Sequence, residues 1–345
     1  MKWRQKSAIQ NLMGRLPPHL GNPIYYQLQR RFGGLRSPTP VSRLTAGIEI
    51  ARLIYKFEHT VESKVFLEVG TGHRLDLPLS LWLCGASAIT TVDLNPYLKE
   101  KLVMGDIDYL RRHQEEVRNL FAFIPRSPAF DERFERLIAR ADSLPELLST
   151  TNIRYCAPAD AGCLALAAES VDYHISYTVL EHIPSDVLKG IFEEGRLLLK
   201  PDGLFVHYID FSDHFAHSDQ AISSVNFLQF SESEWESLAG NRYMFHNRLR
   251  VDEFRALLLG LDLEILSMDI RVDETAVDLL RKGFPLSERF RTKDWSTNAA
   301  MDAWVVATRG SAARPRATAG RDSASPLNLF AGRGPGGPRE GKRAS

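Results

Sequence analysis

Residues 64–74 read Lys64-Val65-Phe66-Leu67-Glu68-Val69-Gly70-Thr71-Gly72-His73-Arg74, and Thr91-Val92-Asp93-Leu94-Asn95 follows about one strand–helix unit later. The first stretch is a short apolar run that ends on an acid and a Gly-x-Gly turn. Gly70 and Gly72 permit a tight turn and let a ligand approach bare backbone. Asp93 closes a second short apolar run 21 residues after Gly72. Nucleotide-binding α/β folds place a carboxylate there, against a ribose hydroxyl pair. Glu68, Gly70, Thr71, Gly72, Asp93 and Leu94 are therefore candidates to hold a nucleotide-like cofactor.

A dinucleotide fingerprint carries a third Gly or Ala three positions after the second glycine, where a helix opens onto a pyrophosphate. That position is Leu75, and Asp76 follows it, an anion at the place a phosphate would occupy. Glu68 adds negative charge at the strand end. An acid-lined pocket suits a cation that carries a ribose, and S-adenosylmethionine (SAM) is one. The same residues argue against a nicotinamide-dependent oxidoreductase. A catalytically silent scaffold with the same fold is the other alternative.

Glu68-Val69-Gly70-Thr71-Gly72 resembles the first motif of class I SAM-dependent methyltransferases, and Asp93 matches their ribose-binding acid. Ala157-Pro158-Ala159-Asp160-Ala161 resembles the loop whose Asp sits near the adenine amino group. The run from Ser170 to Ile183, which holds Tyr177, Glu181 and His182, is similar to the family's fourth strand and following loop. Leu198-Leu199-Lys200-Pro201-Asp202-Gly203 looks like its turn into the fifth strand. The matches span roughly residues 60–210, and departures fall at His73–Leu75 and in a long insertion. The resemblance implies SAM as cofactor, with Asp160, Ala161 and Tyr177 joining the residues above around it. It also implies a Rossmann-like α/β fold, a seven-stranded mostly parallel sheet with an antiparallel last strand.

The rest of the chain is arranged around that core. Apolar residues make up 44% of the 345 and charged residues 25%, as in an ordinary globular protein. Strands are expected at 64–69, 88–93, 152–157, 171–177, 203–209, 263–268 and 303–308. Helices are expected at 24–31, 45–59, 76–85, 185–199 and 251–260. Residues 96–149, after the second strand, read as about three helices broken at Pro125 and Pro128. They form either a solvated surface elaboration or a lid over the ligand crevice. The expected organisation is a basic N-terminal arm (1–43), a methyltransferase domain (44–310) and a tail (311–345). The tail is too poor in apolar residues to offset its ordering entropy and is read as disordered. Three cysteines without a CxxC pair are expected to be free thiols.

The net charge of zero hides an asymmetry. Residues 1–43 carry +8 and residues 311–345 carry +5, so the body between them carries −13. Trp3, Ile9, Leu12, Met13 and Leu16 lie among Lys2, Arg4, Lys6 and Arg15, a basic amphipathic pattern that suggests peripheral contact of residues 1–20 with an anionic membrane. Met1–Arg15 lacks the unbroken apolar core of an export signal, so the expected location is cytoplasmic, with membrane contact at the periphery. No nucleic-acid partner is expected, because no base-stacking module is visible.

Methyl transfer from a sulfonium is an in-line displacement, in which alignment does most of the catalysis. A hydroxyl acceptor benefits from a nearby base. Histidine titrates near working pH, so His214 is the first candidate, steered by Asp213 or His217; His182 is the second. The His214-x-x-His217 pair with Asp213 and Asp219 sits on an irregular loop that defines no ligand geometry, so no metal is expected. Residues 223–250 are dense in aromatic, amide and guanidinium groups, which suits a sugar or other polar ring. The expected acceptor is a small molecule, sugar or lipid-linked glycan.

Overall fold

The computed structural model describes residues 1–32, 39–123, 127 and 129–310. The expected disordered tail lies outside the described residues, as do Gly33, Gly34, Pro38, Pro125 and Pro128. Strands β1 (Val65–Val69), β2 (Ala88–Val92), β3 (Ile153–Cys156), β4 (Val171–Tyr177), β5 (Leu199–Asp210), β6 (Leu263–Val272) and β7 (Ala300–Arg309) form one sheet. Its order is β3-β2-β1-β4-β5-β7-β6. The first five strands pair in parallel, and β7 runs antiparallel to both of its neighbours. This is the sheet that the resemblance implies. The strand order reverses between β1 and β4, so a crevice opens outside their carboxyl ends.

The helices are α1 (Trp3–Arg15), α2 (Pro18–Phe32), α3 (Val41–Lys56), α4 (Asp76–Leu83), α5 (Glu100–Arg112), α6 (Gln114–Leu120) and α7 (Phe130–Arg140). They continue with α8 (Leu144–Thr151), α9 (Ser185–Leu198), α10 (Glu232–Ala239), α11 (Val251–Gly260), α12 (Glu274–Arg281), α13 (Glu288–Arg291) and α14 (Trp295–Asn298). Strand alternation divides the core between the two faces of the sheet. On β5, Leu204 and Val206 join α3 and α4, while Phe205 and Ile209 join α9 and α11.

Three of the departures from the expected elements have a plain physical reason. The strand expected from 203 begins at Leu199, because Leu199 already pairs with Val171 and the Pro201-Asp202-Gly203 turn is absorbed as an irregularity before Leu204 meets Tyr173. The short helix expected at 24–31 starts at Pro18, where a missing N–H costs a helix nothing. Residues 96–149 hold parts of four α-helices. Val103, Ile107, Leu110, Val117, Phe134, Leu137 and Leu147 are buried in one cluster with Leu53 of α3 and Leu81 of α4. The insertion therefore thickens the core on that face of the sheet.

Residues 1–32 are docked onto the domain. Trp3 is buried between the rings of Phe215 (5.5 Å) and Phe230 (5.8 Å), and its backbone N–H donates to Asp219 (2.8 Å). Ser7 donates to the Leu238 carbonyl (2.6 Å) and Asn11 to that of Ser237 (2.9 Å), which fastens α1 along α10. Trp3, expected at a membrane surface, is thus part of a small core of its own; Ile9 and Leu12 remain exposed.

Arg250 is fully buried at the start of α11. Its guanidinium donates to the carbonyls of Phe211 (2.6 Å), Asn298 (2.8 Å), Ala300 (2.6 Å) and Thr297 (3.3 Å). The exit of β5 and the entry of β7 are thereby tied to one side chain. Cys84, Cys156 and Cys163 are free. Among the described residues, no helix is long and apolar enough to cross a membrane.

Candidate active site at the carboxyl edge of the sheet

A cavity of about 460 Å³ opens where the strand order reverses, and Val69, Gly70, Gly72 and His73 form part of its wall. Gly70 has φ +90°, and a Cβ there would stand 2.2 Å from Val179 Cγ2; only glycine lets the end of β1 meet the exit of β4 so closely. Gly72, at φ +67°, has no atom within 4 Å of the place a Cβ would occupy, which leaves its backbone open to a ligand.

Asp93 and Leu94 line the cavity at the end of β2. Asp93 Oδ2 accepts the Gly72 N–H and Oδ1 accepts the Asn95 N–H, both at 2.9 Å. The carboxylate is thus oriented by backbone, and each oxygen keeps capacity for a further donor. Burial raises its pKa above the usual carboxylate value, opposed by those two N–H bonds. Asp160 and Ala161 form another part of the wall, with Asp160 Oδ1 accepting the Gly162 N–H (2.8 Å).

Three expected cofactor residues are not on the wall. Glu68 is buried, its pKa pushed up to about 7 by desolvation, and accepts from the Thr91 hydroxyl. Thr91 in turn bonds Thr71 at 2.6 Å, so Thr71 and Glu68 brace the glycine turn from behind. Tyr177 stacks on Tyr208 at 4.9 Å, because the wall passes to Thr178 and Val179 as β4 ends. Asp76 is buried beside Asp106, which pairs with Arg74. The acid-lined mouth expected from Glu68 and Asp76 is therefore replaced by a mixed wall, in which Asp93 and Asp160 share the cavity with Arg43 and Arg242.

The candidate bases separate as well. His182 lines the cavity. Its Nδ1 lies 2.7 Å from the Phe245 carbonyl, which only accepts, so Nδ1 carries the proton and Nε2 is free. Burial pushes its pKa down to about 4 and keeps the ring neutral. His214 stands behind it, off the wall, with ring centroids 4.8 Å apart and Nε2 3.3 Å from Asp210 Oδ2. Asp213 is no steering residue: it is fully buried and accepts from the Phe215 N–H (2.7 Å) and Asn226 Nδ2 (3.1 Å), stapling its own loop.

The sequence reading missed Arg43 and Tyr97, and of the region 223–250 that it took to suit a polar ring, Arg242, Tyr243, Met244 and Phe245 are on the wall. Arg43 was counted as one of eight arm cations; only its place at the start of α3, facing the crevice, sets it apart. The 242–245 segment did carry a signal, its density of rings and guanidinium groups. Arg242 donates to the Gly14 carbonyl (2.7 Å) and to that of Leu16, and Tyr243 stacks on Tyr25 at 4.0 Å. The outer wall therefore leans on the N-terminal helices.

The sheet order, with its antiparallel β7, is the one that the resemblance implies. No protein-family profile matches the chain, and neither does any curated protein. Among solved structures, one of a Pyrococcus horikoshii protein aligns over 83% of this chain and 98% of its own at 15% identity, with a TM-score of 0.45. A putative methyltransferase of Bacillus halodurans aligns over 78% of this chain and 100% of its own (12% identity, TM-score 0.42). Geranyl diphosphate C-methyltransferase of Streptomyces coelicolor aligns over 76% and 78% (12%, 0.40). Values of this size assign no residue a role.

Proposed function

We propose that the chain is a SAM-dependent methyltransferase whose acceptor is a hydroxyl on a small polar molecule, a sugar or a lipid-linked glycan. The observation that carries the reading is Asp93, fixed by two backbone N–H groups beside the open face of Gly72 at the edge where the strand order reverses. That arrangement fits a ribose diol. Asp160 fits the adenine side, and Arg43 offers a cation to the carboxylate of the methionine moiety. A dinucleotide fits poorly, since neither Leu75 nor Asp76 at the start of α4 reaches the cavity to cradle a pyrophosphate.

The acceptor side falls to His182, Arg242, Tyr243 and Phe245, which give the wall one imidazole, one guanidinium and two aromatic faces. Such a surface suits a hydroxylated ring. The reaction forms a bond between the acceptor oxygen and the methyl carbon as the carbon–sulfur bond breaks; the electron pair stays on sulfur and the hydroxyl proton leaves. The bases that border this side are His182 and, behind it, His214 with Asp210.

Titration of the full chain with S-adenosylhomocysteine tests the reading. Asp93→Ala is expected to weaken binding by roughly 1.5–3 kcal/mol, the loss of charged hydrogen bonds to a diol, in a protein that stays folded. Unchanged affinity would remove Asp93 from the cofactor site, and binding of NAD in place of the homocysteine compound would favour an oxidoreductase.

Membrane contact at the periphery remains part of the proposal. Met1, Ile9 and Leu12 are exposed with Leu20 and Ile24 of α2, beside the basic residues of the arm. The full chain is expected to sediment more with anionic than with neutral vesicles, and Ile9→Ser with Leu12→Ser to lose that difference. Equal sedimentation with both vesicles would leave these helices a purely structural task.

A further inference from the structure

Four buried polar atoms gather beside the cavity: both carboxyl oxygens of Glu181, Nε2 of His246, and Nε2 of His214, which faces Asp210 Oδ2 at 3.3 Å. The His214 ring lies 4.8 Å from that of His182 and 5.2 Å from that of His246. Glu181 is 1% exposed. Buried polar groups almost always find a partner, and the Glu181 carboxyl, which has no side-chain partner, leaves a place that something else can complete.

One donor atom from each of Glu181, His182 and His214 lies within 4.8 Å of the others, and Asp210 and His217 form a second such set around the same His214. Three features favour the first set. His182 is anchored through Nδ1–H to the Phe245 carbonyl, the kind of bond that holds metal-bound imidazoles in place and leaves Nε2 to the ion. Asp210 Oδ1 accepts the N–H and hydroxyl of Ser212, which leaves Oδ2 to face His214 Nε2 at 3.3 Å. His217 is half exposed and is taken by the Ser212 hydroxyl (2.9 Å).

We propose that Glu181, His182 and His214, with Asp210 as a fourth donor, bind a divalent transition-metal ion of the zinc type. Imidazoles combined with carboxylates suit zinc and its neighbours better than magnesium, which prefers an all-oxygen shell. Donors around zinc stand about 3.4 Å apart, so the set closes by little more than an ångström on binding. In the sequence, His214 and His217 on one loop defined no ligand geometry, and no metal was expected from them. The turn after β4 supplies the further donors, Glu181 and His182. Because His182 also lines the cavity, the ion would border the acceptor. Resting on the methyl-transfer reading, its role is to lower the pKa of a hydroxyl bound through oxygen, whose proton then leaves to solvent before the oxygen takes the methyl group.

The test uses the full chain, stripped with a chelator and titrated with zinc, and then with cobalt(II) as an optical probe. One ion per chain and visible cobalt bands are expected. His214→Ala and Glu181→Gln should each weaken zinc by roughly 100-fold or more, while S-adenosylhomocysteine affinity stays unchanged and certifies the fold. Should Glu181→Gln lose that affinity, His182→Gln gives the same reading. No zinc uptake, or uptake equal in the parent chain and a folded variant, overturns the site. Zinc binding retained in a chain that never binds the homocysteine compound keeps the site and rejects its role in methyl transfer.

Discussion

Replacing His182 with alanine is expected to lower kcat by roughly 10²–10⁴-fold, with S-adenosylhomocysteine affinity changed by less than about threefold. His182 is the imidazole on the side of the wall that it shares with Arg242, Tyr243 and Phe245, and burial holds it neutral with Nε2 left open. Removing it deletes that nitrogen whether it takes a proton directly or holds an ion that does. The substitution also removes the bond from His182 Nδ1 to the Phe245 carbonyl, which would loosen the outer wall and raise KM. The two effects separate in kinetics: loss of wall packing moves KM, and loss of chemistry moves kcat at saturating acceptor. The measurement is steady-state transfer of radiolabelled methyl to an acceptor taken from a sugar and glycan set. A fall in kcat below tenfold would leave catalysis to alignment alone.

Arg250→Ala is expected to destabilise the protein by about 3–5 kcal/mol, a large share of the 5–15 kcal/mol typical of a folded domain. The guanidinium serves carbonyls of Phe211, Thr297, Asn298 and Ala300, and alanine leaves these buried acceptors without a donor. Arg250→Lys keeps the charge but replaces a planar fork with a point donor, so it recovers less than half of the loss. Urea unfolding reads both, as a lower midpoint at unchanged slope. A lysine variant within about 1 kcal/mol of the parent would mean that charge, not geometry, is what the site requires.

The parallel half of the sheet could be read from short-range pattern because each strand there is an apolar run bounded by a turn, and the glycines and Asp93 sit at its ends. The outer half of the cavity was legible only as a region, the ring- and guanidinium-rich residues 223–250. Arg242 and Tyr243 reach the cavity only because residues far earlier in the chain support them, and no local pattern encodes a contact across more than two hundred positions. Tyr177 was misplaced for a different reason: strand alternation sends it onto Tyr208, and the wall begins one residue later, at Thr178 with φ 52°. Glu68 and Asp76 looked like surface anions because sequence reports charge but not burial. Asp213 and His214 are neighbours in sequence, yet one is turned inward as a loop staple and the other toward His182.

The leaning of Arg242 and Tyr243 on Gly14, Asn22 and Tyr25 divides authority over the cavity between two regions of the chain. The half built on Gly72, Asp93 and Asp160 answers to the sheet and changes only if the fold does. The other half is set by how two amphipathic helices at the beginning of the chain sit. Substitutions in residues 14–25 can therefore reshape the outer wall of the cavity while leaving the glycine turn and Asp93 untouched.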